Sequence, residues 1–588
     1  MSLKRITIEQ ILYLVILIFA IGVRILRVDD VPLSDFEATR AVQALQASRG
    51  ETPDFSPGPA YPILTGLTFF LLTDSNAYAR IWPIIAGSCL VIFPYFIRSL
   101  IGRKAALIMA IGLAFSPTLV SFSRLAGTDI MAVGFTMLAI GLAVYRKPIP
   151  AGIFAGLALL SGPTALHGWL GIGLAFLLGS ILSRMGILDP LSKVIQLKFN
   201  SRAFFTGGLA ALVVVLAVGT LFLLIPTGLG SFTSIFPSYL RGWVTFSEIS
   251  IPELLLNLII YSPIALIFGL LAIIRSWRYK DSFVQWLSLW AGVSFLFAII
   301  YPGREVFSWL WFLIPLWALA STEIAKYFRL ESAESLPALG QAMLIFLLMA
   351  LGWINLASLS MTVGALETDQ LRWAIIAGTV VLGGITTLLI GLGWSVPTAQ
   401  QGLAWGLLLG FGFYGISLMW GLSQLRPNGE LELIGVPPAT RNAADLQETL
   451  GDLSEWRTGM RDTLDVILTT SSPSLVWEMR DWDKARFLSK VPVGELPSVI
   501  INTEEQPEPN LSIGYRGQDF TWWVSPGWSR ILPENWPKWL VFREAPQEIR
   551  KIVLWARLDL FPGGILDQVD EAPTELDEEL PVGSMPVE

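Results

Sequence analysis

The stretch PLSDFEATRAVQALQASRGETPDFSPGPAY, residues 32–61, follows the first long apolar run and carries three acidic side chains, Asp35, Glu37 and Asp54. Most of the chain around it, up to Leu425, is apolar enough to lie in lipid. Charged groups near a bilayer are costly unless they face water, a partner or a substrate. This acidic stretch therefore predicts a functional site at the membrane surface.

The composition sets the broad class of the protein. The 588 residues are 53% hydrophobic and 15% charged, whereas soluble domains have about 25% charged residues. We therefore predict a polytopic membrane protein, and the basic face that a nucleic-acid partner would need is absent from the sequence. The single cysteine, Cys89, and the single histidine, His167, exclude a disulfide within the chain and a multi-histidine metal cage.

Hydropathy and loop charges predict about 13 membrane spans. Lys4 and Arg5 place the N-terminus in the cytoplasm by the positive-inside rule. The apolar piece 59–73 is shorter than the roughly 20 residues that a span needs, so we predict a surface or re-entrant helix there. With that choice the Lys- and Arg-rich loops face the cytoplasm and the C-terminus is extracytoplasmic. The predicted spans are 6–25, 77–99, 104–122, 130–146, 149–165, 167–183, 203–226, 253–274, 282–301, 306–326, 338–359, 372–395 and 401–421.

The first outward loop, residues 26–76, contains FEATRAVQALQASRG (36–50), which predicts a short amphipathic helix along the membrane surface. Glu37 and Arg40 are three residues apart on this helix and can pair with each other. Asp35 can act as its N-cap. These structural roles compete with any catalytic role for the same acidic residues.

The composition changes after Leu425, where charges and prolines rise. We predict a transmembrane domain over 1–425, a linker over 426–439, a soluble extracytoplasmic α/β domain over 440–568 and an acidic, disordered tail over 569–588. In the soluble domain one helix is predicted at 443–464, and another begins at Ser472-Pro473. The strand-like runs are DVILTT, ARFL, PSVIIN, DFTWWV and KIVLWARLDL.

Several motifs in order carry a resemblance to a known family. The acidic first loop is followed by SPGPAYPILTGLTFFLL, NAYARIWPIIAGS and IGRKAALIMAIGLAFSPTLVSFSRLAGTDIMAVGF. This order, over roughly residues 6–330, resembles the integral-membrane GT-C glycosyltransferases, and within them the dolichyl-phosphate-mannose protein mannosyltransferase and aminoarabinose transferase superfamily. The C-terminal SPSLVWEMRDWDKARFL, PSVIIN and IGYRGQDFTWWV are similar to the flippase-activity-associated glycosyltransferase family. The predicted fold is a GT-C-like all-α membrane domain with a small C-terminal α/β domain.

The resemblance implies sugar transfer, with inversion, from a polyprenyl-phosphate-linked donor to an extracytoplasmic protein, lipid or glycan at the plasma membrane. It also implies that an acidic residue of the first loop is the general base or orients the acceptor. Relatives commonly have adjacent Asp-Glu there, whereas this chain has Asp35-Phe36-Glu37. Glu37 best matches the second acid of the pair and Asp35 is displaced by one position, so both are candidate catalytic residues.

Inverting transfer needs a carboxylate near the acceptor proton and cations near the leaving phosphate. Guanidinium groups suit the second task because they bind phosphate through two parallel hydrogen bonds. The candidate substrate-binding residues are Arg304, Arg124, Asp129, Arg80, Arg40 and His167. A divalent metal ion, if the enzyme uses one, would bind carboxylate oxygens such as those of Asp35, Glu37 and Asp129.

Other interpretations of the same residues stay open. Arg124 and Arg80 can anchor span ends, Asp129 can cap a helix, and His167 can be structural. A transporter or flippase component for lipid-linked sugars would also place arginines and acids at a membrane mouth, although the sequence shows no internal repeat. A non-catalytic scaffold of glycan assembly would explain the altered acidic pair. A transfer assay with a polyprenyl-phosphate sugar separates these three functions.

Overall fold

The computed structural model describes residues 7–55, 57–191, 201–328, 335–361, 366–425, 431–434, 438–506 and 513–561. The chain forms two compact units, one made of Met1–Ala439 with Ser525–Glu548 and the other of Thr440–Val524 with Ile549–Glu588. The predicted roles of Lys4 and Arg5, and the tail predicted at 569–588, lie outside the described residues.

Helices build the first unit, because a chain in lipid must satisfy its backbone hydrogen bonds internally and an α-helix does so within one segment. A short 3₁₀ turn, Leu90–Ile92, joins α5 to α6. The helices are α1 (Ile8–Ile25), α2 (Asp35–Ser48), α3 (Ala60–Leu71), α4 (Asn76–Ala79), α5 (Ile81–Cys89), α6 (Phe93–Ile101), α7 (Arg103–Phe115), α8 (Pro117–Ser123), α9 (Asp129–Val144), α10 (Pro148–Leu160), α11 (Pro163–Arg184), α12 (Ser201–Gly219), α13 (Thr227–Arg241), α14 (Ile251–Tyr261), α15 (Pro263–Tyr279), α16 (Ser282–Ile300), α17 (Leu310–Tyr327), α18 (Ser335–Met361), α19 (Leu366–Gly393) and α20 (Val396–Trp420).

The chain is a multi-pass membrane protein. Within the described ranges, nine helices are long and apolar enough to cross a membrane, or up to eleven if each of two bent helix pairs counts as one span. The prediction of about 13 spans exceeds the higher number by two because it included α9 and α10. These helices have only 16 and 13 residues, and a span needs roughly 20.

One span lies at the centre of the membrane unit. It runs from Val306 to Tyr327, comprising a 3₁₀ turn, Val306–Trp309, and α17, and 89% of its most apolar window is buried. Its Trp309 and Trp311 side chains are almost fully buried, and α7, α15 and α16 pack around it. We call this segment the central span. The loop 301–305 leads directly into its N-terminal end.

The first loop folds into two short helices, α2 and α3, which pack on each other. The surface helix predicted at 36–50 corresponds to α2, which begins at Asp35. Its N-cap is Ser34, whose hydroxyl accepts a hydrogen bond from the Glu37 N–H at 3.4 Å. The suggestion that Asp35 is the N-cap is therefore wrong, because Ser34 has the extended backbone and the hydroxyl that the position requires.

The second unit contains a mixed sheet, which confirms the predicted small C-terminal sheet domain. Its strands lie in the order β1-β5-β6-β4-β2-β3, with β2 parallel to β3 and β4, and β4 antiparallel to β6. Trp522 is fully buried in its hydrophobic core, and Trp477 is also fully buried. The elements are β1 (Ala439–Thr440), α21 (Ala443–Thr458), β2 (Val466–Leu468), α22 (Pro473–Glu478), β3 (Ala485–Phe487), β4 (Val499–Thr503), β5 (Tyr515–Pro526) and β6 (Gln547–Arg557).

The boundary between the units differs from the one predicted at 426–439. Residues 431–434, placed in a linker by the sequence, are packed into the membrane unit, and Ser525–Glu548 belongs to that unit as well. In that segment lies α23 (Trp536–Phe542). A buried ion pair joins the two segments within this unit: Arg543 Nε lies 2.8 Å from Glu432 Oε1, and Tyr261 donates its hydroxyl to Glu432 Oε2 at 2.6 Å.

Candidate functional site

A cavity of about 370 Å³ lies where several helices of the membrane unit begin. Its wall comes from the first turns of α2, α9 and α11 and from the start of the central span. The titratable or cationic side chains in this wall are Arg40, Asp129, His167 and Glu305, besides two tyrosines. Helix N-termini present free N–H groups and a partial positive charge, so this arrangement favours negatively charged groups in the cavity.

A close backbone approach shapes one side of the cavity. Gly162, the N-cap of α11, has φ of +109°, and a Cβ there would lie 2.8 Å from the Pro57 carbonyl oxygen. Gly58 has φ of +136°, and a Cβ there would lie 2.9 Å from the Gly162 Cα. Only glycine fits both positions, because an L side chain would be strained by the backbone angle and would also clash.

Asp129 is the first residue of α9 and is 7% exposed. The Thr164 hydroxyl, in the first turn of α11, donates a hydrogen bond to Asp129 Oδ1. The N-terminal end of α9 favours a negative charge at this position. The suggestion that Asp129 caps the helix is wrong, because Thr128 is the N-cap of α9 and Asp129 is its first residue, whereas the cavity-facing position of Asp129 agrees with the other alternative.

Glu305 follows Arg304 in the loop before the central span, and its side chain is open to the cavity. Its N–H donates to the Ser308 hydroxyl oxygen at 3.1 Å, which holds the loop against the central span. Burial among protein atoms and the negative charge of Asp129 raise the pKa of Glu305 to about 7, while Arg40 opposes this shift. A carboxyl group with a pKa near neutrality is suited to proton transfer.

Arg40 also faces the cavity, one turn into α2. Its guanidinium lies 4.0 Å from the centre of the Phe36 ring, and its Nη1 donates to the Phe36 carbonyl oxygen at 3.3 Å. The pairing with Glu37 predicted from their spacing is replaced by this stacking. Among the described residues that line the cavity, Arg40 is the one lysine or arginine.

Glu37 has a different environment from the cavity carboxylates, because it is buried in an ion pair with Arg80. Arg80 Nε and Nη2 lie 2.8 and 2.9 Å from the two Glu37 oxygens. The Ala126 N–H donates at 2.9 Å, and the Ser34 N–H and hydroxyl donate at 3.2 and 3.1 Å. Burial alone would raise the pKa of Glu37, but the Arg80 charge and these hydrogen bonds hold that pKa below its usual value.

The three arginines predicted to bind phosphate contact backbone carbonyl groups instead. Arg80 and Arg124 hold the end of α1 and the chain that follows it, and Arg304 joins its own loop and the end of α16 to the segment that precedes α14. The carbonyl acceptors are those of Val28, Val31 and Pro32 for Arg80, of Val23, Arg24 and Leu26 for Arg124, and of Ile249, Ile299 and Tyr301 for Arg304. None of the three lines the described cavity.

Asp35 is half-buried and does not line the cavity, although the next residue, Phe36, does. The metal-ligand set suggested by the sequence is not assembled. Both Glu37 oxygens already accept hydrogen bonds, and the described residues contain no group of three His, Cys, Asp or Glu side chains placed to hold an ion. The donor set of Asp35, Glu37 and Asp129 therefore does not fit a metal.

His167 lies in the first turns of α11 and is 7% exposed. Its ring meets Tyr301, Phe297 and Tyr239 edge-on, with centroid distances of 5.1, 5.5 and 6.1 Å. The predicted cavity residues Arg40, Asp129 and His167 are thus brought together.

Sequence reasoning missed Glu305, Thr164 and the tyrosines of the cavity wall. One signal for Glu305 is present in the sequence, since this residue lies in the short loop between the predicted spans 282–301 and 306–326, directly beside the candidate Arg304. Thr164 and the tyrosines carry no local signal, because their positions depend on the packing of distant helices.

Comparison with known proteins places the fold. No family model matches the chain, and no curated protein matches it. The structure of ArnT from Cupriavidus metallidurans bound to undecaprenyl phosphate is 14% identical, with a TM-score of 0.55, covering 92% of this chain and 97% of ArnT. The apo structure of ArnT is 12% identical, with a TM-score of 0.51 and the same coverage.

The narrower resemblance to the flippase-activity-associated family stays a prediction. At 12–14% identity the likeness to ArnT concerns the fold. The chain therefore has the GT-C fold of the membrane glycosyltransferases, as the order of its sequence motifs predicted.

Proposed function

We propose that this protein is a membrane glycosyltransferase that moves a sugar, with inversion, from a polyprenyl-phosphate-linked donor to an acceptor hydroxyl. The observation that carries the proposal is the cavity at the start of the central span, where two carboxyl groups and one guanidinium meet. The structural likeness to ArnT bound to undecaprenyl phosphate supports a lipid-phosphate donor.

Glu305 is the proposed general base, in place of Glu37. A base needs a free oxygen within reach of the acceptor and a pKa near the working pH. Glu305 faces the cavity with its pKa raised to about 7. Glu37 has both oxygens occupied and its pKa lowered by Arg80, so it is a poor proton acceptor.

The charge of Asp129 adds to the effect of desolvation in raising the pKa of Glu305. A carboxylate close to a second carboxyl group makes ionisation of that second group harder. The Thr164 hydroxyl donates a hydrogen bond to Asp129 Oδ1, and Asp129 lies at the start of α9, where a negative charge is favoured. Asp129 therefore acts as a positioning residue for proton transfer, and Glu305 accepts the proton.

Arg40 and the surrounding helix N-termini are the proposed partners of the donor phosphate. A guanidinium supplies a fixed positive charge and directed hydrogen bonds to phosphate oxygens. The N–H groups at the starts of α9 and α11 add partial positive charge around the same space. These groups stabilise the negative charge that grows on the phosphate as it leaves.

The groups of the cavity are enough to account for every bond and proton in the transfer. The acceptor oxygen attacks the anomeric carbon from the face opposite the phosphate, which inverts its configuration. The proton of the acceptor hydroxyl passes to the Glu305 carboxylate. The bond between the anomeric carbon and the phosphate oxygen breaks, and its electron pair stays on the polyprenyl phosphate.

The cavity is proposed to lie at the extracytoplasmic face of the plasma membrane, with the N-terminus of the chain in the cytoplasm. This orientation rests on the positive-inside rule, because the loops rich in Lys and Arg lie on the opposite side from the loops that line the cavity. Single cysteines introduced into a Cys89→Ala background can be labelled with a membrane-impermeant reagent. Labelling of position 305 only after the membrane is opened would contradict this orientation.

Transfer is tested with the purified full-length chain in proteoliposomes. The donors are radiolabelled undecaprenyl-phosphate sugars, and an extracytoplasmic fraction of the source cells supplies acceptors. We expect label to appear on an acceptor with release of undecaprenyl phosphate, and NMR of the product to show the inverted anomer. Movement of the intact sugar lipid across the bilayer without transfer would identify a transporter instead. If neither transfer nor movement occurred, the result would favour a scaffold.

A further inference from the structure

Two basic grooves lie at the far end of the central span from the cavity described above. The span begins at Val306, beside that cavity, and ends at Tyr327, so its two ends are roughly 30 Å apart at about 1.5 Å per residue. The grooves have volumes of about 630 and 370 Å³ and share Asp281, Val284 and Lys326. In the proposed orientation of the chain, they open at the cytoplasmic side of the membrane.

Positive charge dominates the described walls of these grooves. Arg103, Lys104, Arg275 and Lys326 line them, whereas Asp281 is the one carboxylate among the described lining residues. The four cations come from the start of α7, the end of α15 and the end of the central span. We call these four residues the basic cluster. Because like charges repel each other, an anion bound among them would be stabilised.

A buried carboxylate holds half of the basic cluster in place. Glu323, near the end of the central span, is 1% exposed. Arg275 Nη1 lies 2.8 Å from Glu323 Oε1, and Lys326 Nζ lies 2.9 Å from Glu323 Oε2. The Tyr327 hydroxyl also donates to Glu323 Oε1, at 3.0 Å. Two cations therefore share one carboxylate, which fixes their positions and leaves a net positive charge.

The other half of the basic cluster lies at the N-terminus of α7. The N-cap is Gly102, which has φ of +90°, and no described side chain caps the first N–H groups of this helix. Arg103 and Lys104 follow directly and are exposed. The Asp281 side chain, by contrast, already accepts a hydrogen bond from the Val284 N–H as the N-cap of α16. Uncapped N–H groups beside two cations favour an anion with several acceptor oxygens, such as a phosphate.

Apolar side chains continue the walls of the same grooves. Leu100, Ile101 and Phe283 are half-buried and line the larger groove next to the basic start of α7. Tyr279, in the smaller groove, is 71% exposed, and tyrosine is enriched at the boundary between lipid and water. A soluble phosphate compound would leave these apolar surfaces in water, whereas the acyl chains of a lipid would cover them.

We propose that the basic cluster binds the phosphate headgroup of an anionic phospholipid from the surrounding membrane. The phosphate is held between the start of α7 and the Arg275–Lys326 pair, and the acyl chains follow Leu100, Ile101 and Phe283. The lipid is anionic because a headgroup with its own ammonium group would add positive charge where four cations already face one carboxylate. This site is separate from the donor cavity and does not depend on the proposed transfer reaction.

The test counts bound lipids by native mass spectrometry of the purified full-length protein in detergent. The protein is titrated separately with phosphatidylglycerol, with zwitterionic phosphatidylcholine and with soluble glycerol phosphate. We expect the first phosphatidylglycerol to bind more tightly than either of the other two compounds. The double variant Arg103→Gln with Lys104→Gln should weaken this binding by roughly 25-fold, since each basic residue near a membrane surface contributes about 5-fold.

Arg184→Gln is the matched control, because Arg184 is an exposed arginine at the end of α11 and lines neither groove. This variant should leave the affinity for phosphatidylglycerol unchanged. Lys104→Gln alone is a milder variant, with an expected loss of roughly 5-fold. Thermal unfolding of each variant in detergent shows whether it is folded.

Other results would overturn this site. A loss in Arg184→Gln equal to that in the double variant would mean that charge attracts the lipid without a defined site. Equal affinity for phosphatidylcholine would remove the requirement for an anionic lipid, and equal affinity for glycerol phosphate would assign the grooves to a soluble phosphate compound. Unchanged binding in the folded Lys104→Gln and double variants would show that phosphatidylglycerol binds elsewhere. None of these results would alter the proposed transfer function.

Discussion

The membrane unit contains two pairs with acidic groups, Glu37–Arg80 and Asp129–Glu305. The pKa of Glu37 is lowered in the first pair, whereas the pKa of Glu305 is raised in the second. Glu37 receives hydrogen bonds on both oxygens and a full positive charge from Arg80, so its pKa is lowered. The surrounding protein atoms, which partly exclude water from the Glu305 carboxyl group, and the negative charge of Asp129 raise the pKa of Glu305 to about 7. A carboxyl group near the membrane surface is therefore not enough for proton transfer, because its partners decide whether it can take a proton.

The largest expected effect is on turnover. Glu305→Gln should lower the transfer rate by about 10²- to 10⁴-fold, since it removes the proposed general base. Folding should be preserved because this side chain is open to the cavity. The measurement is initial transfer at saturating donor, with Asp35→Asn as the matched control outside the cavity. If the transfer rate of Glu305→Gln were within a few-fold of the wild-type rate, Glu305 would not be the general base, and Asp35 and Glu37 would again be the candidates.

The second effect concerns stability. Glu37→Gln should destabilise the protein by about 3–5 kcal/mol, because the buried Arg80 charge loses its partner. Unfolding in detergent measures the difference, and Glu51→Gln, an exposed carboxylate of the same loop, should change stability by less than about 0.5 kcal/mol. Equal stability of Glu37→Gln and Glu51→Gln would show that the Glu37–Arg80 ion pair does not stabilise the fold.

The third effect is on donor binding. Arg40→Gln should weaken binding of undecaprenyl phosphate by roughly 10-fold or more, as expected when a hydrogen bond to a charged group is lost. Arg304→Gln should leave this affinity nearly unchanged, because Arg304 contacts the backbone carbonyl groups of Ile249, Ile299 and Tyr301 and does not line the cavity. A larger loss for Arg304 than for Arg40 would support the phosphate role that the sequence had suggested for Arg304.

The smallest effect is a shift in the pH dependence of transfer. The Asp129 charge raises the pKa of Glu305, so Asp129→Asn should lower that pKa and move the acidic limb of kcat/KM to lower pH. The rate of the variant at pH 6, relative to its own rate at pH 8, should exceed the wild-type ratio by a few-fold. A shift of the limb to higher pH would mean that Asp129 does not act through its charge on Glu305.

Much of the fold could be predicted from the sequence, because apolar runs and short basic loops define spans locally. The single span predicted at 253–274 is instead a bent pair, with α14 and α15 at 96°. The bend falls at Ser262-Pro263, where proline lacks the N–H needed to continue a helix. That break was visible in the sequence, whereas the buried position of residues 431–434 depended on Arg543, which is remote in the chain.

The site was predicted only in part. Arg40, Asp129 and His167 were named from the sequence and lie together in the cavity. Glu37 was favoured because relatives have an acid there, but its side chain meets Arg80 and the Ala126 N–H, which lie far along the chain. Such partners follow from packing between distant segments, and no local pattern reveals them.

The Glu432–Arg543 ion pair has a consequence for the order in which the chain is made. Glu432 and Tyr261 are synthesised before the second unit begins, whereas Arg543 emerges only after Thr440–Val524 has been completed. Until then the ribosome has released every membrane span, but the Glu432 carboxylate still lacks its cation. A chain that is truncated near residue 439 and released should therefore be more sensitive to membrane quality-control proteases than one extended past residue 548, even though both contain the same described membrane helices.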